Sequence, residues 1–236
     1  MPNSYFNFKK FTINQDRASF KVGTDGVILG AYADVSDKKR ILDIGCGTGL
    51  ISIMLAQKSQ AEIVSIEPDE ESFNQACENV RSCSWSNRIT VLKTDLQSFK
   101  RLTEKFDLIV SNPPYFTDSL KNPDPRKSSA RHNDSLTSKE LLTEVAGLLE
   151  SDGCFQVILP YIEGNILIAE AQEFGLYCNS ILKIRPLPTS EIRRMIITFS
   201  RERKPVTEKF LTIEHGKRHE FTEGYINLTK DFYLKF

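Results

Sequence analysis

Three glycines and three carboxylates recur in this chain at spacings that suit one kind of ligand. The run "LDIGCGTGL" sets Gly45, Gly47 and Gly49 between an apolar stretch that reads as a buried strand and one of helical character. Open α/β sheets take nucleotides at such junctions, at the carboxyl ends of their strands. The dinucleotide spacing G-x-G-x-x-G fails here, because its third glycine would fall on Leu50. Asp43, just before the loop, puts a carboxylate where a pyrophosphate would otherwise lie. Glu67 ends the second strand 20 residues after Gly47, the place of an acid that accepts both ribose hydroxyls. Asp95 ends the third strand and can accept from an adenine amino group. A ligand with adenosine, no phosphate and a positive centre matches this set, and S-adenosylmethionine is that ligand.

A second constellation is "VSNPPYF", Val110 to Phe116, which follows the apolar run "FDLIV". Two prolines end a sheet ladder at once, and they fix the backbone around them. The result is a rigid corner that carries the Asn112 amide, the Pro113 carbonyl and the Tyr115 ring. Those groups suit a planar polar partner.

These residues need a scaffold that brings strand ends together, and the rest of the chain supplies one. "RILDIG", "EIVSIE", "RITVLKTD", "FDLIVSN", "CFQVILP", "NSILKIRPL" and "IRRMIITFSRER" read as seven strands. "LISIMLAQKS", "PDEESFNQACENVRSC", "SKELLTEVAGLLESDG" and "EGNILIAEAQEFGL" read as helices between them. Alternation of this kind predicts an α/β, Rossmann-like fold. The sheet is expected to be mainly parallel, with helices on both faces and an antiparallel last strand, since the final two strands lack a helix between them. "KVGTDG", Lys21 to Gly26, reads as a turn. Phe116 to Thr137, about 22 residues without a helix or strand pattern, is long enough to expect a functional or mobile loop.

Composition narrows the class. The chain has 236 residues, 40% hydrophobic and 26% charged, enough for one domain with a sizeable core. No apolar run reaches the roughly 20 residues that span a bilayer, and the N-terminus lacks a secretion-signal pattern. The five cysteines are scattered without a C-x-x-C pair, which points to the cytoplasm rather than to disulfides or zinc. His132, His215 and His219 are too dispersed for a metal site. Asp16 and Arg17 read as a local ion pair without a role. Net charge is zero, but it is unevenly spread. Glu62 to Asn79 holds six acids and no base, while Lys183 to Lys209 holds eight bases and three acids. Arg126, Lys127 and Arg131 on the long loop, with Arg193, Arg194, Arg201 and Arg203, are the candidates for phosphate contacts.

Taken together, the glycine loop and the Asn112-Pro113-Pro114-Tyr115 corner make the chain similar to the class I S-adenosylmethionine-dependent methyltransferases. In that superfamily the corner marks enzymes acting on planar amino nitrogens. With "FNFKKFTINQDRASFKVGTDGVILGAYA" near the start and "YINLTKDFYLKF" at the end, the chain resembles the bacterial tRNA1(Val) (adenine-37-N6)-methyltransferase family from about Phe6 onward. The resemblance implies one methyltransferase domain, with residues 1–38 as an extension packed over the cofactor site and 39–236 as the core. It adds Lys21, Gly23 and Thr24 as cofactor contacts, and it makes the anticodon loop of a tRNA the partner, with no metal or membrane involved. It also gives the corner a chemistry. The Asn112 side-chain oxygen and the Pro113 carbonyl each accept one N6 hydrogen, so the nitrogen lone pair turns toward the methyl group. Tyr115 stacks on the base, worth about 1–3 kcal/mol.

A glutamine N5-methyltransferase poses the same chemical problem, but that group usually carries a separate N-terminal helical domain. A DNA adenine methyltransferase would need a target-recognition domain. A nicotinamide oxidoreductase is disfavoured by Leu50 and Asp43, and a module without catalysis is disfavoured by the intact corner.

Overall fold

The computed structural model describes residues 3–99, 105–113 and 136–235. A short antiparallel hairpin, β1 (Tyr5–Asn7) and β2 (Thr12–Asn14), precedes helix α1 (Thr24–Tyr32). Strand β3 (Arg40–Ile44), helix α2 (Leu50–Lys58), strand β4 (Glu62–Ile66), helix α3 (Glu70–Ser82) and strand β5 (Ile89–Leu92) follow. Then come the single turn α4 (Leu96–Phe99), β6 (Phe106–Ser111), α5 (Ser138–Leu148), β7 (Leu149–Pro160) and α6 (Tyr161–Ala171). Strands β8 (Tyr177–Arg185), β9 (Arg194–Ser200) and β10 (Thr207–Thr212) and helix α7 (Glu223–Thr229) complete the described chain.

The main sheet runs β10-β8-β9-β7-β6-β3-β4-β5. Only β9 runs against the others, pairing antiparallel with both β7 and β8. The expected antiparallel hairpin is therefore present. The sheet has eight strands rather than seven, because β10 adds to the edge of β8 in parallel. "TEKFLT" has little of the apolar character that marks the central strands, as befits an edge whose first four residues are exposed.

Burial on both faces explains why the central strands are near-continuous apolar runs. In β3, Ile41 joins a core beneath α1, α2 and α3, while Leu42 and Ile44 join a second core beneath α5 and α6. Helix α2 is buried from Leu50 to Ala56 because it is sandwiched between the sheet and α1. A Cβ on Gly30 would stand 2.8 Å from Met54 Sδ, so this glycine sets how closely α1 approaches α2. Helix α3 has a polar outer face and starts on Asp69, whose Oδ2 accepts from the Ser72 N–H at 2.9 Å. Helix α5 opens on a capping box between Thr137 and Glu140.

Two local expectations change. The helix expected to run to Gly153 stops at Leu148, and β7 begins five residues earlier than its apolar run. The register against β6 shifts between Phe106 and Leu108, and at the shift a Cβ on Gly153 would meet the Phe106 carbonyl oxygen at 2.8 Å. Glycine there permits a close backbone approach rather than ending a helix. "KVGTDG" is not a turn: Lys21–Gly23 leads directly into α1, which begins at Thr24.

Candidate functional site

The carboxyl ends of β3, β4 and β6 form the centre of the site. After β3 the chain passes through Gly45 (φ 70°), Gly47 (φ 56°) and Gly49 (φ 79°), a left-handed sequence that only glycine adopts readily. The loop is tied from several sides. The Ile66 carbonyl accepts from the N–H groups of Gly45 and Cys46 at 2.9 and 3.1 Å. Glu67 Oε2 accepts from the Gly47 N–H at 2.8 Å, and Asn79 Nδ2 donates to the Thr48 carbonyl at 2.9 Å. Among the described residues, chain neighbours aside, no protein atom lies within 4 Å of where a Cβ would stand on Gly45 or Gly47. The loop therefore presents backbone to open space.

Beneath it lies Asp43, fully buried. Its Oδ2 accepts a short 2.5 Å bond from Ser52 Oγ, which is also 2.7 Å from Ser65 Oγ. Oδ1 has no partner. Burial pushes the Asp43 carboxyl up to about 7, against the lowering effect of Ser52. Glu67 is also raised by burial, opposed by the hydrogen bonds from the Gly47 and Asp69 N–H groups. Asp95 lies beyond the end of β5, exposed, and its Oδ1 caps α4 by accepting from the Ser98 N–H at 2.6 Å.

The amide corner is joined to this loop. Ser111 Oγ donates to the Ile44 carbonyl at 3.0 Å, which fixes the end of β6 against the last residue before Gly45. Asn112 is half-buried and Pro113 buried. A Cβ on Gly26 would lie 3.8 Å from Asn112 Nδ2 and 3.3 Å from Leu50 Cδ2, so the first turn of α1 forms a wall behind the amide. Sequence reasoning assigned no role to Gly26 or Ser111. A glycine within an otherwise apolar helix was the available signal for the first. Tyr115, Arg126, Lys127 and Arg131 lie outside the described residues.

The N-terminal segment reaches the site by way of α3. The Asn14 N–H donates to Asn79 Oδ1 at 2.8 Å and Asn79 Nδ2 donates back to the Asn14 carbonyl at 2.9 Å. Gln75 Oε1 accepts from the Arg17 N–H at 3.1 Å, and Gln15 Oε1 accepts from the Val22 N–H at 2.8 Å. Arg17 pairs with Glu78 of α3 rather than with its neighbour Asp16. Residues 15–23 thus run from α3 to the start of α1. Lys21 is exposed and its Nζ donates to the Asn3 carbonyl at 3.2 Å; Gly23 and Thr24 are exposed at the helix start.

The late arginines divide between two ends of the sheet. Arg193 is exposed on the rim that holds Asn112, and Arg194 Nε donates to Asp25 Oδ2 at 2.8 Å. Arg201 and Arg203 follow the far end of the seven-residue β9, roughly 23 Å away at strand rise. Arg201 bonds the Ala146 and Leu149 carbonyls there. Among the described residues no group of three His, Cys, Asp or Glu side chains could hold a metal, and no helix is long and apolar enough to cross a membrane.

Comparison with known proteins bears directly on this arrangement. The methyltransferase small domain family matches residues 23–160. The tRNA1(Val) (adenine(37)-N6)-methyltransferase of Bacteroides thetaiotaomicron is 46% identical over 236 residues, covering 99% of each chain. That of Phocaeicola vulgatus is 45% identical over 234 residues, again covering 99% of each. Among solved structures, a predicted O-methyltransferase of Agrobacterium tumefaciens superposes with a TM-score of 0.65 at 22% identity, covering 88% of this chain and 96% of its own. That last likeness bears on the fold alone. With a glycine loop, an amide corner and full-length relatives in agreement, the chain belongs to the tRNA1(Val) (adenine(37)-N6)-methyltransferase family, within the methyltransferase small domain.

Proposed function

We propose that this protein methylates N6 of adenosine 37, beside the anticodon, in a valine tRNA, with S-adenosylmethionine as donor. The observation that carries the reading is the Ser111–Ile44 hydrogen bond, which couples the acceptor corner to the glycine loop at 3.0 Å. Two relatives, each spanning 99% of this chain, bear the name of that activity. The cytoplasm, where tRNA resides, also suits five free thiols.

The residues fit the donor. Open space above Gly45 and Gly47 suits a ligand lying on the loop backbone, and the orphaned Asp43 Oδ1 suits a cationic group. In this reading Glu67 takes the ribose with the lone pairs left by Gly47 and Asp69, and Asp95 takes the adenine amino group. Gly49 sets the turn into α2, and Lys21, Gly23 and Thr24 close over the ligand as part of the 1–38 extension. When bound, the donor supplies an electrophilic methyl on a sulfonium centre.

Everything else falls to the corner. Adenine N6 is a weak nucleophile because its lone pair is delocalised into the ring. Asn112 Oδ1 and the Pro113 carbonyl accept its two hydrogens and draw the nitrogen toward tetrahedral geometry. Neither group titrates, so catalysis rests on positioning and preorganised acceptors. Tyr115 stacks on the base, which is already unpaired in an anticodon loop. Arg193, on the same rim, together with Arg126, Lys127 and Arg131, meets the RNA backbone, whereas Arg194 is already engaged by Asp25. Incubation with labelled donor and bulk tRNA lacking the modification tests this reading. N6-methyladenosine in a valine tRNA is expected. No label in tRNA, with cofactor binding intact, would overturn it.

A further inference from the structure

Helix α1 is the one element between the N-terminal β1–β2 hairpin and β3, and charged side chains grip both its ends. At the carboxyl end Lys58 Nζ donates to the carbonyls of Gly30, Ala31 and Ala33 at 3.2, 2.6 and 2.6 Å. That grip satisfies the free carbonyls of a helix end. At the amino end the situation differs. Gly23 is the N-cap and offers no side-chain hydrogen bond, and the first backbone bond, Val27 N–H to the Gly23 carbonyl, is long at 3.3 Å. Among the described residues a further tie is Asp25, in the first turn, held by Arg194 from the first residue of β9, 169 positions away in sequence. Both side chains are partly buried, at 30% and 28% exposure. The next residue after Asp25 is Gly26, the wall behind the Asn112 amide.

From this we infer that Arg194 is a positioning residue, which acts through Asp25 to hold the first turn of α1 against Asn112. The inference rests on Asn112 serving as the amino-group acceptor proposed above. It gives Arg194 a role within the protein, different from a phosphate contact. A carboxylate in the first turn favours the helix dipole, and the charged bond from Arg194 Nε fixes where that turn sits. Releasing the pair leaves an uncapped turn. A turn that frays leaves the Asn112 amide without its backing, and small misplacement of a reacting group is costly in rate.

The test compares Arg194→Met, Asp25→Asn and their double variant, with Lys58→Met as the control that loosens the same helix at its far end. The role predicts that either single change lowers kcat about tenfold with KM for tRNA within about twofold of wild type. The double variant should be no worse than either single one, since both remove the same interaction. Arg194→Lys should recover part of the rate, and Lys58→Met should lower the melting temperature while leaving kcat in place. Hydrogen exchange of the amides of residues 24–28, measured without cofactor, should speed up in both single variants. A rise in KM for tRNA with a shallower salt dependence in Arg194→Met, but not in Asp25→Asn, would show a phosphate contact and overturn the role. Unchanged exchange in both would overturn it too. The exchange measurement stands even if the wild-type protein labels no tRNA, an outcome that would count against the tRNA reading instead.

Discussion

Glu67 Oε2 accepts from the Gly47 N–H at 2.8 Å, and its Oε1 accepts from the Asp69 N–H at 3.0 Å. One carboxylate thus ties the glycine loop to the head of α3 before any ligand arrives. Replacing it by alanine leaves two backbone donors short of a partner, at about 1–3 kcal/mol for each that stays buried. Glu67→Ala should therefore lower both the melting temperature and the affinity for S-adenosylhomocysteine, by at least about tenfold for the latter. Calorimetric titration beside a thermal melt checks this. Unchanged affinity would remove Glu67 from the ligand's surroundings.

Asp43 gives the site a pH dependence with a definite sign. Its carboxyl is pushed from 3.8 up to about 7 by burial. Between those values the folded protein holds a proton that the unfolded chain has released. This contribution to stability is complete below 3.8 and is lost as pH rises through about 7. The α-ammonium that S-adenosylhomocysteine shares with the donor would, beside Oδ1, favour the ionised form, so S-adenosylhomocysteine should bind more tightly as pH rises toward 7 and level off above it. Asp43→Asn should flatten that profile. Titrations at several pH values decide the matter, and a flat wild-type profile would contradict it.

Two glycines should separate stability from activity. Gly153→Ala drives a Cβ against the Phe106 carbonyl oxygen, which belongs to backbone and cannot easily yield. Overpacking of that kind costs about 1–3 kcal/mol, far from the site chemistry. Gly26→Ala meets a movable Leu50 methyl at 3.3 Å and comes near the Asn112 amide. The first should lose melting temperature with kcat retained, and the second should lose kcat with a smaller change in melting temperature. Equal effects on both quantities would mean that Gly26 serves packing only.

Asn79 joins the N-terminal hairpin to the glycine loop through Asn14 and the Thr48 carbonyl, and it is 1% exposed. Asn79→Ala strips partners from three backbone groups, for a loss of about 2 kcal/mol or more. Limited proteolysis should then cut within residues 8–23 much faster than in the wild type. Equal cleavage rates would show that the hairpin is held by its aromatic contacts alone.

The parts of the fold that the sequence revealed are those whose burial writes a pattern. Strands β3, β4, β6 and β7 are buried on both faces and read as apolar runs, and α3 and α5 carry their caps in plain view. The elements missed include β10, an exposed edge strand, and α1, whose opening "TDG" resembles turn chemistry, together with the short β1–β2 hairpin, α4 and α7. The glycine loop, Glu67 and Asn112 were legible because each lies at a strand end with a residue type that has few other uses there. Asp25 and Arg194 were not, since an ion pair across 169 residues leaves no local signal. Gly153 misled for the opposite reason: its local signal mimics a helix stop, while the packing uses it for a bulge.

In the proposed reaction Asn112 activates an amino group of RNA by accepting a hydrogen bond from it. Methylation of an unmodified valine tRNA transcript by wild type and by Asn112→Ala, with S-adenosylhomocysteine affinity measured in parallel, tests it most directly. The variant should lose roughly 10²–10³ in rate with cofactor affinity little changed, by analogy with removal of one oxyanion-hole donor. A variant that methylates adenosine 37 at the wild-type rate would contradict it.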